Sequence, residues 1–377
     1  MIDVLMVTQN DWANTGYRFS KCLEFLGLRV LYLKGVPHHL RYPQQGTIDR
    51  TLTAPALARH PVYINVPSYK ALMEGSHVVH FIASTFVNTG ADLTQKNVVV
   101  QHGGSTYRID PLSCNKIFNP VADQTIVQCP DLLGLGAENE HLIYYPVDTE
   151  LLAPSFKPAE REKIKIGHFP STPTTKGTDV ILEVIGRLLA DPELKDHFEY
   201  VGATNIWGES HRVPWEANLQ RMKECDLLIE TQKPFLELGP TGPKPYGEWG
   251  NTAIEAASLG KVVVTNSLTS DLYAREYGDC ALNISNSPEE LETILRRLIM
   301  LPHAAFVEEQ KKTRDWVVKS HSMKATAIRL WEKVYSNFFP EKWTEEAPNM
   351  NNLVTPQSDW IELGFKNQQL AEIVIKK

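Results

Sequence analysis

Five cysteines, Cys22, Cys114, Cys129, Cys225 and Cys280, are scattered along the chain with no CxxC spacing. An odd, dispersed set excludes a disulfide framework and reads as reduced thiols packed in a core. Long apolar runs are missing as well: no stretch approaches the roughly 20 residues that a spanning helix needs. The opening MIDVLMVTQND has neither the basic flank nor the apolar length of a signal peptide, so a cytoplasmic protein is expected. Positive charge is not in excess. The net charge of −7 gives no global attraction to nucleic acid or anionic lipid, although a local basic patch stays open. No Asp-x-Asp segment follows a strand-like run, so no metal site is expected.

What is present is ordinary for a globular protein: 42% hydrophobic and 22% charged residues in 377. That length exceeds what one hydrophobic core usually serves, so two domains are expected. Residues 2–8 form a short apolar run, 9–15 a polar loop, 17–26 an amphipathic stretch closed by Gly27, and 29–33 a second apolar run. This is one βαβ unit. Further strand candidates at 77–82, 97–101, 124–128 and 142–145 make the first half an open α/β sheet. Residues 146–162, rich in proline and charge, read as a linker. A second α/β pattern follows, with strands at 165–169, 199–202, 227–230 and 261–266. Its helices fall at 178–189, 215–223, 251–259 and 289–301, with one long helical segment from about 304 to 338. Residues 340–358 read as a polar linker, and 360–375 as one amphipathic element for packing on a domain or another subunit.

In open α/β sheets ligands bind at the carboxyl ends of strands, and two such sheets suggest a cleft between them. Three loops that follow strands stand out. In HFPSTPTTKGTD, which begins at His168, a Lys-Gly pair at Lys176 opens a helix, where amide groups and the helix dipole favour phosphate. In YGEWGNTAIEAASLGKVVV, Gly250, Asn251 and Thr252 open a short helix that carries Glu255 one turn in. The helix start suits a diphosphate, and the glutamate suits ribose hydroxyls. In VVVQHGGSTYR, His102 ends a strand at a glycine turn and Arg108 follows in a loop of mobile appearance. Each has a plain structural alternative: a solvated helix-start lysine, a solvated glutamate and a packed histidine.

Residues 165–265 resemble the donor-binding domain of retaining glycosyltransferase family 4, the large "group 1" GT-B family. HFPSTPTTKGTD, VPWEANLQRMKECDLLIE, PYGEWGNTAIEAASLGKVVV and a later long helix match in that order. The first half matches more loosely, through Asn14, Thr15 and Gly16 after the first strand, a VVH strand end at His80, and the turn at His102. The resemblance implies two Rossmann-like domains facing a central cleft: an acceptor-side domain over 1–150 and a donor domain over 151–319. A helix over 320–340 crosses back to the first domain, and 341–377 form an extension. It implies that Lys176 binds the donor diphosphate, with His168, Gly16, Gly250, Asn251 and Thr252 around the nucleotide. Glu255 then holds the ribose, His102 lies near the transferred sugar, and Asn14 and Arg108 lie on the acceptor or sugar side.

One departure is visible. The family carries two glutamates with seven residues between them, and alignment of Trp249-Gly250 puts Gly247 at the first, with Glu248 one residue off. Glu248 is the candidate to take over that role. The implied reaction moves a sugar from a nucleotide diphosphate sugar to an acceptor hydroxyl with retention, without metal or other cofactor. The leaving phosphate itself accepts the proton. The acceptor, whether glycan, lipid carrier or modified DNA base, stays open, as do the donor base and sugar and the oligomeric state. A phage-type DNA glycosyltransferase, with Arg41, Lys311, Lys312 and Arg314 as basic candidates, a sugar-nucleotide epimerase and a non-catalytic sugar-nucleotide binder are the rival readings.

Overall fold

A computed structural model describes residues 2–54, 61–156, 163–206, 213–237, 243–246 and 249–340. Gly247, Glu248 and the stretch 341–377 lie outside the described residues. The chain divides into two units. Among the described residues, one comprises 2–38, Pro43–Pro146 and 326–340; the other comprises His39–Tyr42 and Val147–Ala325.

The first unit begins with β1 (Ile2–Thr8), α1 (Thr15–Phe25), β2 (Val30–Lys34), β3 (Thr47–Ile48) and β4 (Val62–Asn65). It continues through α2 (Lys70–Gly75), β5 (Ser76–Ile82), β6 (Thr85–Asn88), β7 (Asn97–His102), α3 (Gly104–Ile109), α4 (Pro111–Phe118), β8 (Gln124–Val127) and β9 (Glu140–Leu142). Its main sheet is parallel, in the order β3-β2-β1-β5-β7-β8-β9, while β4 and β6 pair separately. With that small pair set aside, the order is the dinucleotide-fold pattern, whose direction reverses between β1 and β5. β1 and β5 are buried almost throughout, as central parallel strands covered on both faces must be. β4 and β6 fall outside the predicted strands. They are four residues each, too short for periodicity to mark.

The second unit holds β10 (Ile164–Gly167), α5 (Pro173–Lys176), α6 (Thr178–Ala190), β11 (Phe198–Tyr200), α7 (Trp215–Glu224) and β12 (Leu227–Ile229). It continues with β13 (Phe235–Glu237), β14 (Pro243–Pro245), α8 (Asn251–Ser258), β15 (Val262–Thr265), α9 (Ser270–Tyr277), β16 (Asn283–Ile284), α10 (Pro288–Ile299) and α11 (His303–His321). Its parallel sheet runs β11-β10-β12-β15-β16, the other doubly wound order, with its switch point between β10 and β12. α6 buries Ile181, Val184, Ile185 and Leu188, the 3.6-residue stripe that its sequence shows. α10 buries Leu291, Leu295, Leu298 and Ile299 in the same core. Each such side chain contributes about 1.5–3 kcal/mol by leaving water.

The single long helix expected over 304–338 is two helices, α11 and α12 (Met323–Lys333). Val147 inserts between them. Its N–H donates to the His321 carbonyl at 2.8 Å and its carbonyl accepts from Met323 N–H at 3.1 Å, so Ser322 adopts extended geometry in a β-bridge. From Thr326 the chain belongs to the first unit, where the Tyr335 hydroxyl bonds His80 Nδ1 at 2.8 Å.

Candidate functional site

The switch point of the second sheet gathers the strongest cluster. Lys176 follows β10 and Glu230 follows β12, 54 residues later, and adjacency of the two strands brings their side chains into an ion pair. Glu230 is 1% exposed and Lys176 15%. Thr265, at the end of β15, donates its hydroxyl to Glu230 Oε2 at 3.3 Å. The Lys176 ammonium lies 5.7 Å from the centroid of the Tyr246 ring, within cation–π reach. It also stands against the start of α8: a methyl group at Gly250, the N-cap, would sit 3.6 Å from Lys176 Nζ and 3.4 Å from Glu230 Oε1. A cation beside the positive end of a helix is electrostatically unfavourable, and Glu230 offsets it.

Local backbone explains how Lys176 arrives there. The loop after β10 makes one helical turn, α5, before α6 begins, so Lys176 ends that turn rather than opening the long helix. Gly177 joins the two at φ +68°, with Gln232 backbone atoms 2.8 Å from where a Cβ would stand. The Gln232 N–H donates to the Lys176 carbonyl at 3.0 Å. His168, at the end of β10, is fully buried between Ile229 O and Thr178 Oγ1, both 2.8 Å from its ring nitrogens. It ties β10 to β12 and to the first residue of α6.

α8 is entered through Gly250, which offers no capping side chain, and Asn251 and Thr252 are half-buried on its first turn. Buried Trp249 fixes the entry by packing on Tyr273, with ring centroids 4.8 Å apart. Glu255 is 3% exposed, and its Oε1 accepts from the Trp215 indole N–H at 3.0 Å. Beside the ion pair, Thr231 Oγ1, Gln232 Nε2 and Asn266 Oδ1 are buried without a hydrogen-bond partner among the described residues. Buried polar atoms normally have one, so these three leave hydrogen-bonding capacity beside the ion pair.

The first unit places its candidates differently. Asp11 caps α1, accepting from Gly16 N–H at 2.7 Å and Tyr17 N–H at 3.0 Å, and burial raises its carboxyl above the usual range. Gly16 allows close packing, since a Cβ there would lie 2.8 Å from the Tyr32 hydroxyl oxygen. Asn14 is left-handed at φ 58°, and its amide donates to Gln44 O at 2.7 Å. His102 does not face outward as its strand-end position suggests. It is fully buried, stacked on Tyr107 at 4.1 Å with Nδ1 sharing a hydrogen bond with Ser84 Oγ at 2.9 Å, and burial pulls its pKa down to about 3. Arg108 is likewise not in a mobile loop. It lies on α3, 6% exposed, with Nε donating to Asp131 at 2.5 Å.

Sequence reading did not single out Glu230, Thr265, Trp215 or Asp11. A signal for Glu230 was available in CDLLIE, where a charge closes an otherwise apolar strand. None of the five cysteines is in a disulfide, and four are buried. Among the described residues no helix is long and apolar enough to cross a membrane, and no group of three His, Cys, Asp or Glu is placed for a metal ion.

Two parallel doubly wound units define an architecture that solved structures share. Anabaena Alr3699/HepE, crystallised with UDP-glucose, is similar with a TM-score of 0.55 at 12% identity, over 89% of this chain and 100% of HepE. A glycosyltransferase from Rickettsia africae ESF-5 gives 0.57 at 11% identity, over 90% and 99%. The sucrose-phosphate synthase of Thermosynechococcus elongatus gives 0.55 at 12%, over 90% and 100%. These likenesses establish the fold, which is GT-B. No protein-family model and no curated protein matches the sequence.

Proposed function

We propose that the protein is a retaining glycosyltransferase akin to family 4, moving a sugar from a nucleotide diphosphate sugar to an acceptor hydroxyl without a metal. The observation that carries this reading is the Lys176 ammonium, held by Glu230 beside the N-terminus of α8 at the switch point of the second sheet. A cation and a helix start together suit a diphosphate, and they stabilise the same group more as it leaves with growing negative charge. The buried, unpartnered polar atoms of Thr231, Gln232 and Asn266 add hydrogen-bonding capacity at that edge. Glu255 serves the ribose, its carboxylate oriented by Trp215. The departing phosphate takes the acceptor proton, so the neutral, sealed His102 is not required as a base. Acceptor contacts are assigned to the loop over 9–15 after β1 and to the stretch over 37–67.

The test is a thermal-shift and donor-hydrolysis screen across UDP, GDP and ADP and their sugars, with UDP first because HepE was crystallised with it. At least one should raise the melting temperature, and Lys176→Ala and Glu255→Ala should each weaken that nucleotide. No response at millimolar concentration from any of them would end the nucleotide-sugar reading. A salt-sensitive shift of duplex DNA in a gel would instead point to a modified DNA base as acceptor.

A further inference from the structure

Glu230 has a role beyond fixing a lysine in place. Its carboxylate is 1% exposed, and its side-chain partners among the described residues are the Lys176 ammonium and the Thr265 hydroxyl. It lies against the N-cap of α8, where a methyl on Gly250 would be 3.4 Å from Oε1. A diphosphate arriving at that helix start meets two opposing effects. Lys176 is already oriented, so little side-chain freedom is lost on binding. Yet the anion must share the ammonium with a buried carboxylate a few ångströms away, and like charges at that distance repel.

We propose that Glu230 is a positioning residue that presents Lys176 and deliberately weakens diphosphate capture, keeping the nucleoside diphosphate product releasable. This rests on the donor-site reading above. The proposal carries a sign that a purely structural role does not. Glu230→Gln keeps the shape and the hydrogen bonds: its amide oxygen accepts from Lys176, and its NH₂ donates to Thr265 Oγ1. The charge alone is lost. Nucleoside diphosphate should then bind tighter, by about tenfold, or about 1.4 kcal/mol.

The experiment is calorimetric titration of the full chain with UDP, GDP and ADP, on wild type, Glu230→Gln, Lys176→Ala and the double variant, each checked by its melting temperature. The expected result is about tenfold tighter binding in Glu230→Gln, with a parallel fall in donor KM. In the Lys176→Ala background, where binding is weaker overall, the same change should tighten binding by at least as large a factor, because the carboxylate then repels the diphosphate with no ammonium beside it. Glu230→Asp, which keeps the charge but withdraws it by one methylene, should tighten binding by a smaller factor, about threefold, and supplies the test if the glutamine variant does not fold. Wild type that binds while Glu230→Gln binds equally or more weakly overturns the inference and leaves the donor site standing. Wild type that binds none of the three overturns both.

Discussion

Gly177→Ala and Gly186→Ala change the same helix by the same methyl group, and the structure predicts opposite signs. Gly177 sits at φ +68°, where a side chain costs about 1–2 kcal/mol. Its new Cβ would stand 2.8 Å from the carbonyl carbon and oxygen of Gln232 and 3.1 Å from Lys233 N, all backbone, so the chain must shift. Such overpacking costs about 1–3 kcal/mol. Loss of glycine's freedom in the unfolded chain returns about 0.4–1 kcal/mol, leaving a net loss of about 2–4 kcal/mol. Gly186 lies in the interior of α6 with nothing within 4 Å of its Cβ position, so alanine there should gain about 0.5–1 kcal/mol. In a unit of this size each kcal/mol moves the melting temperature by about 2–4 °C. Gly177→Ala should therefore melt about 5–15 °C lower, and Gly186→Ala about 1–4 °C higher, by circular dichroism. Because the Lys176 carbonyl is bonded to Gln232 N–H, the first variant should also lose nucleotide affinity while the second keeps it. Equal melting temperatures in the two variants would refute the assignment of Gly177 as a joint that only glycine can make.

Two further outcomes test the first unit. Arg108→Ala leaves Asp131, 2% exposed, without its cation, and should cost about 3–5 kcal/mol in urea unfolding with nucleotide affinity unchanged; Arg108→Ala with Asp131→Ala should recover part of that loss. His80 and His102 are both drawn down to about 3 by burial, well below an unfolded value of about 6.5. The unfolded chain thus takes up protons that the native one refuses, so stability is intact above pH 6.5 and falls as pH drops toward 3. From pH 7 to 5 each histidine should remove about 2 kcal/mol, and His102→Asn should abolish its share of that slope in pH-dependent denaturation.

The strand-loop-helix repeat, the division into two α/β halves and the loops that follow β10 and precede α8 were legible in the sequence. They rest on periodicity and on glycine and proline punctuation, which act between neighbours in the chain. Lys176 and Asn251 belong to that legible part, because nearness to a helix start is a local feature. What joins them is not local. Glu230 meets Lys176 because β10 and β12 are adjacent in the sheet, and strand order follows from how whole layers bury their apolar faces. Val147 breaks the final helical segment from some 175 residues away, which no helical periodicity over 304–338 could reveal. His102 and Arg108 show the same limit. The glycine turn beside them reads as an open loop, but Tyr107, Ser84 and Asp131 close over it once the first sheet has formed. The chain thus determined by itself where a phosphate could be met. Tertiary packing decided that Lys176 stands against the start of α8, and which buried carboxylate holds it there.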